Sequence, residues 1–262
     1  MGVVYLANDP YVRRQVAVKV LPRNLTLDTE SRTRFQREAQ IVANLEHEYI
    51  VSVYDFGEYN EQMFIVMRFM SGGSLVQHLK GKPLTLRAVS PVVQRVAAAL
   101  DAAHAQSIIH RDIKPGNILF DNHGQAFLGD FGIAKLLAER SDRLTGEAVI
   151  GTPEYMSPEQ VRGAGPLDGR SDVYALGVVI FEMLTGRLPF KKDTPMNTAI
   201  AHVMDPIPDI LLLNPRLPRQ TQTVIAKALA KDPTQRYQTA GQLAEQIELL
   251  ASGRWFLAQL TN

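Results

Sequence analysis

His110-Arg111-Asp112-Ile113-Lys114-Pro115-Gly116-Asn117-Ile118-Leu119 is the stretch on which the fold of this chain turns. It gathers a carboxylate, a cation two residues on and a neutral oxygen donor five residues on into one loop. The loop follows Pro91 to Ser107, whose apolar residues at 92, 93, 96, 97, 100 and 103 recur at helical spacing. It ends in Ile-Leu, which reopens a strand. Standing alone, the string would pass for a polar turn. Pinned between packed elements, it presents a base, a cation and an oxygen ligand to one point. Short strands at Ile118–Phe120 and Ala126–Leu128 then flank Asp121-Asn122-His123-Gly124, a hairpin turn. Gly129-Asp130-Phe131-Gly132 follows. Its glycines let backbone and ligand approach closely. Asn117 and Asp130 together can hold a hard cation through oxygens, with phosphate oxygens completing the shell.

Upstream, the β-branched runs Val3–Ala7 and Gln15–Leu21, separated by Asn8-Asp9-Pro10, read as an antiparallel hairpin. A helix is expected from Ser31 to Leu45, with Phe35, Ile41, Val42 and Leu45 apolar. Strands are expected at Ile50–Phe56 and Gln62–Phe69, and an interlobe hinge at Ser71-Gly72-Gly73-Ser74. Ala17 and Lys19 share one face of their strand, and the small alanine leaves room there for a planar ligand. Glu38 sits among apolar positions of its helix, where an unpartnered carboxylate is costly. Lys19 is its natural partner; the plainer readings are a surface lysine and a glutamate reaching solvent. Downstream, Asp130 to Glu159 has little periodicity, and such stretches in a domain are usually functional. Helices return at Asp172–Thr185, Gln220–Ala230 and Thr239–Leu250, the last capped by Thr239. A small β-rich lobe is thus followed by a larger helical one, with a cleft between them as the ligand site.

Composition narrows the classes. The 262 residues carry 28 Lys+Arg against 27 Asp+Glu, a net charge of +1, with 45% hydrophobic and 21% charged residues. These are ordinary globular values, with no broad electrostatic footprint for nucleic acid or anionic membrane. With no cysteine, disulfides, thiolate metal sites and a cysteine nucleophile are excluded. Met1 to Pro10 show no basic region followed by an apolar stretch, so no signal peptide and a cytoplasmic location are expected. The most apolar window, Val173–Leu184, contains Glu182 and is too short to span a membrane, so it reads as a buried helix.

Val16-Ala17-Val18-Lys19, Glu38, His110-Arg111-Asp112 to Asn117, Asp130-Phe131-Gly132 and Ser157-Pro158-Glu159 resemble, in order, the signature set of protein kinases. Gly151 to Gln160 and Asp172 to Gly177 look most like the bacterial eukaryotic-like serine/threonine kinases. The likeness covers roughly residues 2 to 250. It implies an α+β fold of two lobes, an antiparallel-sheet N-lobe over 1–69 and a helical C-lobe over 70–250, with a tail over 251–262. It implies ATP and Mg2+ as cofactors and protein Ser/Thr hydroxyls as acceptors. By the resemblance, Lys19 holds the α- and β-phosphates and is oriented by Glu38; Asp130 and Asn117 bind Mg2+. Asp112 takes or orients the substrate proton, and Lys114 steadies the γ-phosphoryl group. Adenine lies between Val4 and Ala17 on one side and Leu119 on the other, bonded to backbone near Arg68 and Met70, with Met67 as gatekeeper. His110, Phe131, Val42 and Val53 form an apolar spine. Arg111 offers a cation to an activation-loop phosphate at Thr145 or, second, Ser141; self-association for trans-autophosphorylation follows. Thr152 contacts Asp112 and Lys114, Glu159 pairs with Arg236, and Asp172 accepts catalytic-loop amides. No nucleic acid and no membrane segment are implied.

The chain departs from the pattern at its start. Of the family's G-x-G-x-x-G-x-V, only Gly2-Val3-Val4 is present. The first strand and the phosphate-covering tip are therefore expected to be missing, through a misplaced start, a fragmented gene model or a genuine short form. Weak ATP binding and an exposed sheet edge at Gly2–Ala7 are the expected consequences. Ser157 in place of alanine, Arg68 at the hinge and Gly116 in the catalytic loop remove no reactive group. Arg254-Trp255-Phe256-Leu257 packs back, binds a partner or leads into a longer parent. The competing classes are a nucleotide- or partner-binding pseudokinase scaffold and a small-molecule kinase; Gly151 to Glu159, shaped to dock a peptide, speaks against the latter.

Overall fold

Cross-strand pairs of β-branched and aliphatic residues assemble the first sheet. The computed structural model describes residues 2–22, 29–132, 153–163 and 165–255. In it β1 (Val3–Asp9), β2 (Arg14–Val20), β3 (Val53–Tyr59) and β4 (Gln62–Arg68) form an antiparallel sheet in the order β1-β2-β4-β3. Strand β1 runs through Asp9, so the turn falls later than the sequence suggests, at Pro10–Arg13. There the Asp9 carboxylate accepts from the amides of Tyr11 and Val12 at 3.0 and 3.2 Å. Val3, Val4, Tyr5 and Leu6 are exposed along this edge strand, as expected. Helix α1 (Thr29–Ala43) buries Phe35 and Ala39 against Leu21, Met63 and Ile65 of the sheet.

Residues 50–52, expected to open β3, lie outside the strand because their backbone is spent elsewhere. Val51 N–H donates to Leu128 O at 2.8 Å, and Leu128 N–H donates to Tyr49 O at 2.8 Å. The segment before β3 is thereby stitched to the second sheet, β5 (Ile118–Phe120) with β6 (Ala126–Leu128). The linker from β4 is pinned similarly: Gly72 N–H donates to Phe120 O, and Phe120 N–H to Gly73 O, both at 2.8 Å. A Cβ at Gly72 would come within 2.4 Å of Asp121 O, so only glycine permits that approach.

The helical part is built around α5 (Gly169–Thr185), buried on nearly every side, with Asp168 capping its first turn. Glu182, the one acid of that apolar window, accepts from the Tyr155 hydroxyl at 2.6 Å. The other helices are α2 (Leu75–Leu79), α3 (Leu86–Ala105), α4 (Pro158–Arg162), α6 (Pro195–Met204), α7 (Ile210–Leu213), α8 (Gln220–Ala228) and α9 (Ala240–Ala251), of which α3, α7, α8 and α9 pack on α5. Helix α3 starts five residues earlier than its apolar stripe suggests. Thr85 caps it, and Pro91 is accommodated near its start. Its buried face, Val89, Val93, Val96, Ala97, Leu100 and Ala103, meets α9 and α5. Thr239 caps α9, as the sequence suggests. Val42 packs against both the sheet core and the helical core, and Trp255 packs against the latter. No described helix is long and apolar enough to cross a membrane.

Candidate active site

The loop between α3 and β5 is a closed hydrogen-bond network. The Lys114 ammonium donates to Asp112 Oδ2 at 2.6 Å. The Asn117 amide nitrogen donates to the Asp112 carbonyl at 2.7 Å and to its Oδ2 at 3.1 Å. With that nitrogen committed, the Asn117 side chain offers only its oxygen to a cation. Both Arg111 and Asp130 have positive φ, 66° and 58°, a region non-glycine residues occupy only when their surroundings enforce it. At Arg111 the enforcement is visible: Asp172 Oδ2 accepts from His110 N–H and Oδ1 from Arg111 N–H, each at 2.8 Å. The expectation that Asp172 receives the loop amides is met.

His110 carries the network across to Asp130. It is fully buried. Its Nε2 lies 3.0 Å from Gly129 O, and its Nδ1 accepts from Asp112 N–H at 3.3 Å. Burial pushes the imidazole pKa down, against the pull of Asp172 and the Gly129 carbonyl. A neutral ring with its proton on Nε2 satisfies both contacts. The ring stacks on Phe131 with centroids 4.6 Å apart. His110, Phe131 and Val42 thus adjoin one core, while Val53 packs on the sheet side only.

Lys19 reaches into the cleft from β2, and here the sequence expectation is corrected. Its ammonium pairs with Asp130, not with Glu38. Glu38 is half-buried on α1 and makes no ion pair among the described residues. The physical reason is competition for one buried ammonium: the Lys19 side chain is only 12% exposed, and Asp130 is the carboxylate that meets it. The pair spans the two lobes. No cluster of three or more His, Asp or Glu side chains able to hold a metal occurs among the described residues.

The β1–β2 register sets Val4 opposite Lys19 and Leu6 opposite Ala17, and the β2–β4 register sets Ala17 opposite Met67. Val4, Leu6, Ala17, Lys19 and Met67 consequently share one sheet face. Leu6, not singled out from sequence, belongs to it by strand alternation. Met67 and Leu119 pack on a small cluster of Val51, Met70 and Phe127, with the Arg68 guanidinium over the Phe127 ring at 4.9 Å.

The Glu159–Arg236 pair expected from sequence is present and bidentate, at 2.7 and 2.8 Å. Burial pushes the Glu159 carboxyl up, but the hydrogen bonds from Arg236 and Ser171 outweigh it and hold its pKa below the ordinary carboxylate range. Gln160, which sequence reasoning passed over, donates to Arg111 O at 2.9 Å and closes a capping box with Ser157. The S-x-x-Q spacing was the available signal. Thr145, Ser141, Thr152, Phe256 and Leu257 lie outside the described residues, as does most of the segment from Asp130 to Glu159.

Residues 1–247 match the family model of the protein kinase domain. The chain is 40% identical over 249 residues to the serine/threonine-protein kinase PrkC of Bacillus subtilis (strain 168), covering 95% of this chain and 38% of that protein. It is 42% identical over 261 residues to the serine/threonine-protein kinase PknB of Mycobacterium tuberculosis (strain ATCC 25618 / H37Rv), covering 97% of this chain and 41% of that one. The chain thus spans about two fifths of the length of these curated relatives. Among solved structures, the Mycobacterium tuberculosis PknI kinase domain superposes with a TM-score of 0.77 at 31% identity, covering 96% of this chain and 92% of that one.

Proposed function

Because the chain belongs to the protein kinase domain family, we propose that it is a serine/threonine protein kinase unit, transferring the γ-phosphoryl group of ATP to protein Ser/Thr hydroxyls. The observation that carries this reading is the convergence of Asp112, Lys114 and Asn117 in one bonded loop, linked through His110 to the Gly129–Asp130 turn that Lys19 meets. Residues 1–250 form the kinase unit, 1–69 and 70–250 being its lobes.

In this reading Asp112 orients the acceptor hydroxyl and takes up its proton. Lys114, already bonded to Asp112, steadies the γ-phosphoryl oxygens. Asp130 and Asn117 hold Mg2+; one carboxylate and one amide oxygen suit a hard ion that draws its remaining ligands from phosphate and water. When bound, that ion neutralises charge on the phosphates. Lys19 would then serve the α- and β-phosphates, oriented by Glu38, with Asp130 left to hold the ion. The arrangement described is accordingly a resting one. Adenine sits between Val4 and Ala17 above and Leu119 below, bonded to the backbone of Arg68 and Met70, with Met67 behind it. Arg111 receives a loop phosphate on Thr145 or Ser141, placed there by a second copy in the cytoplasm.

A second reading, a scaffold that binds nucleotide or partners without turnover, draws on the lack of a Lys19–Glu38 pair. Incubation with Mg2+, γ-labelled ATP and a generic protein acceptor separates the two. Label on phosphoserine and phosphothreonine after acid hydrolysis is expected. No label, or label on phosphotyrosine, overturns the kinase reading.

A further inference from the structure

Arg68, the last residue of β4, ties the two sheets together with both its backbone and its side chain. Its N–H donates to Ser52 O at 3.0 Å, and the neighbouring Val51 N–H donates to Leu128 O on β6 at 2.8 Å. Residues 51 and 52 thus link the end of β4 to β6, but a link through two single bonds can still pivot. The Arg68 side chain closes the circuit. Its guanidinium lies over the ring of Phe127, the residue before Leu128, 4.9 Å from the centroid. A cation within about 6 Å of a ring face is held by the ring's quadrupole, more firmly where water is displaced. Phe127 is buried, at 6% exposure. Asp121, which follows β5, draws the guanidinium the same way. Burial pushes its carboxyl up, but the amides of Gln125 and His123, helped by the charges of His123 and Arg68, hold its pKa below the ordinary carboxylate range.

The clasped ring supports one wall of the cleft. Phe127 stands opposite Leu119 in the β5–β6 register, so the two side chains share a face. Both belong to the cluster with Val51, Met70 and Met67. The packing there is tight: a Cβ at Gly129 would lie 3.2 Å from Leu119 Cδ1 and 3.2 Å from Val51 Cγ2. A displacement of Phe127 is therefore passed to Leu119. On the other side, Arg68 directly follows Met67, which pairs with Ala17 across β2 and β4. We propose that Arg68 is a positioning residue for the adenine slot: by clasping Phe127 it fixes the spacing between Ala17 and Leu119, the two walls between which the base would lie. The proposal rests on the kinase reading above, which supplies the base. The spacing bears on the base and not on Asp112, so Arg68 sets nucleotide affinity rather than the rate of transfer. A clasp of this kind is worth about fivefold in affinity.

Four variants of the full chain test this: Arg68→Met, Arg68→Lys, Phe127→Leu and the double change Arg68→Met with Phe127→Leu. Calorimetric binding of adenosine reads the slot without phosphates and without turnover. Arg68→Met, which keeps the length of the side chain and loses its charge, should weaken adenosine about fivefold. Arg68→Lys keeps the charge without the planar stack and should fall between wild type and Arg68→Met. The double variant should bind within about twofold of Phe127→Leu alone, because the clasp is already lost there. In the transfer assay, KM for ATP should rise about fivefold in Arg68→Met with kcat within about twofold. Unchanged adenosine affinity in Arg68→Met overturns the proposal, as does Arg68→Lys no better than Arg68→Met. A further fivefold loss on adding Arg68→Met to Phe127→Leu also overturns it, since the arginine would then act elsewhere. So does a fall in kcat as large as the rise in KM, which would mark general loosening. A wild-type chain that binds adenosine but transfers no phosphate would refute the kinase reading, while the affinities would still decide the role of Arg68. A wild-type chain that binds no adenosine would overturn the slot and this role together.

Discussion

A buried guanidinium is tolerable only where its fork meets acceptors on every side, and Arg236 meets them. Its side chain is fully buried. Besides the two Glu159 oxygens it donates to the carbonyls of Ala230, Arg170 and Lys231, at 2.7, 3.0 and 3.2 Å. Its plane lies over the Tyr174 ring at 4.8 Å. Breaking such a pair strands the remaining charge, which costs about 3 kcal/mol or more. The sign of the pH dependence follows from Glu159. Its pKa is depressed in the fold, so the pair stabilises fully above the unfolded carboxylate value, about 4.3, and that stability is lost as pH falls through the lower folded value. Thermal melts of wild type and Glu159→Gln should therefore differ most at neutral pH. The gap should close below about pH 4; a gap independent of pH would contradict the assignment.

Among the elements, α1 matters most for what the cleft can do, and it is where sequence and structure part. The strands β5 and β6 were legible to the residue, because each is a short apolar run between turn residues. The buried face of α3 was legible from spacing, the burial of α5 from its continuous apolar window, and the Asp112, Asn117 and Asp130 loops from residue types in order. Element ends were less so. Tyr49 to Val51 spend their hydrogen bonds on Leu128, a partner almost eighty residues away that no local pattern announces. The Lys19–Glu38 pair failed for a related reason: a sequence shows which carboxylates exist, not which one stands beside a given ammonium. Helix α1 meets the sheet through Phe35 and Ala39 and does not bring Glu38 to Lys19. Glu38→Gln should then leave the nucleotide-free melting behaviour within about 0.5 kcal/mol of wild type. If Glu38 takes up the role proposed for it beside Lys19, the same change should lower transfer at least about tenfold. A large loss of stability with unchanged transfer would place Glu38 in the scaffold instead.

At the scale of the whole molecule, one ion pair among the described residues spans the cleft, joining β2 to the turn after β6. Backbone bonds at Gly72–Gly73 and Tyr49–Val51 also tie the lobes, as does apolar packing of Leu45, Ile50 and Val51 on the helical side. The catalytic loop is bound to α5 through Asp172 and to α4 through Gln160. The proposed chemistry thus rests on a loop bonded to the helical core. The direct test is single-turnover transfer from Mg·ATP to a protein acceptor, wild type against Asp112→Asn. Loss of the base should slow transfer by about a hundredfold or more while ATP still binds. Transfer at the wild-type rate in Asp112→Asn would contradict the assignment of the reaction to this loop.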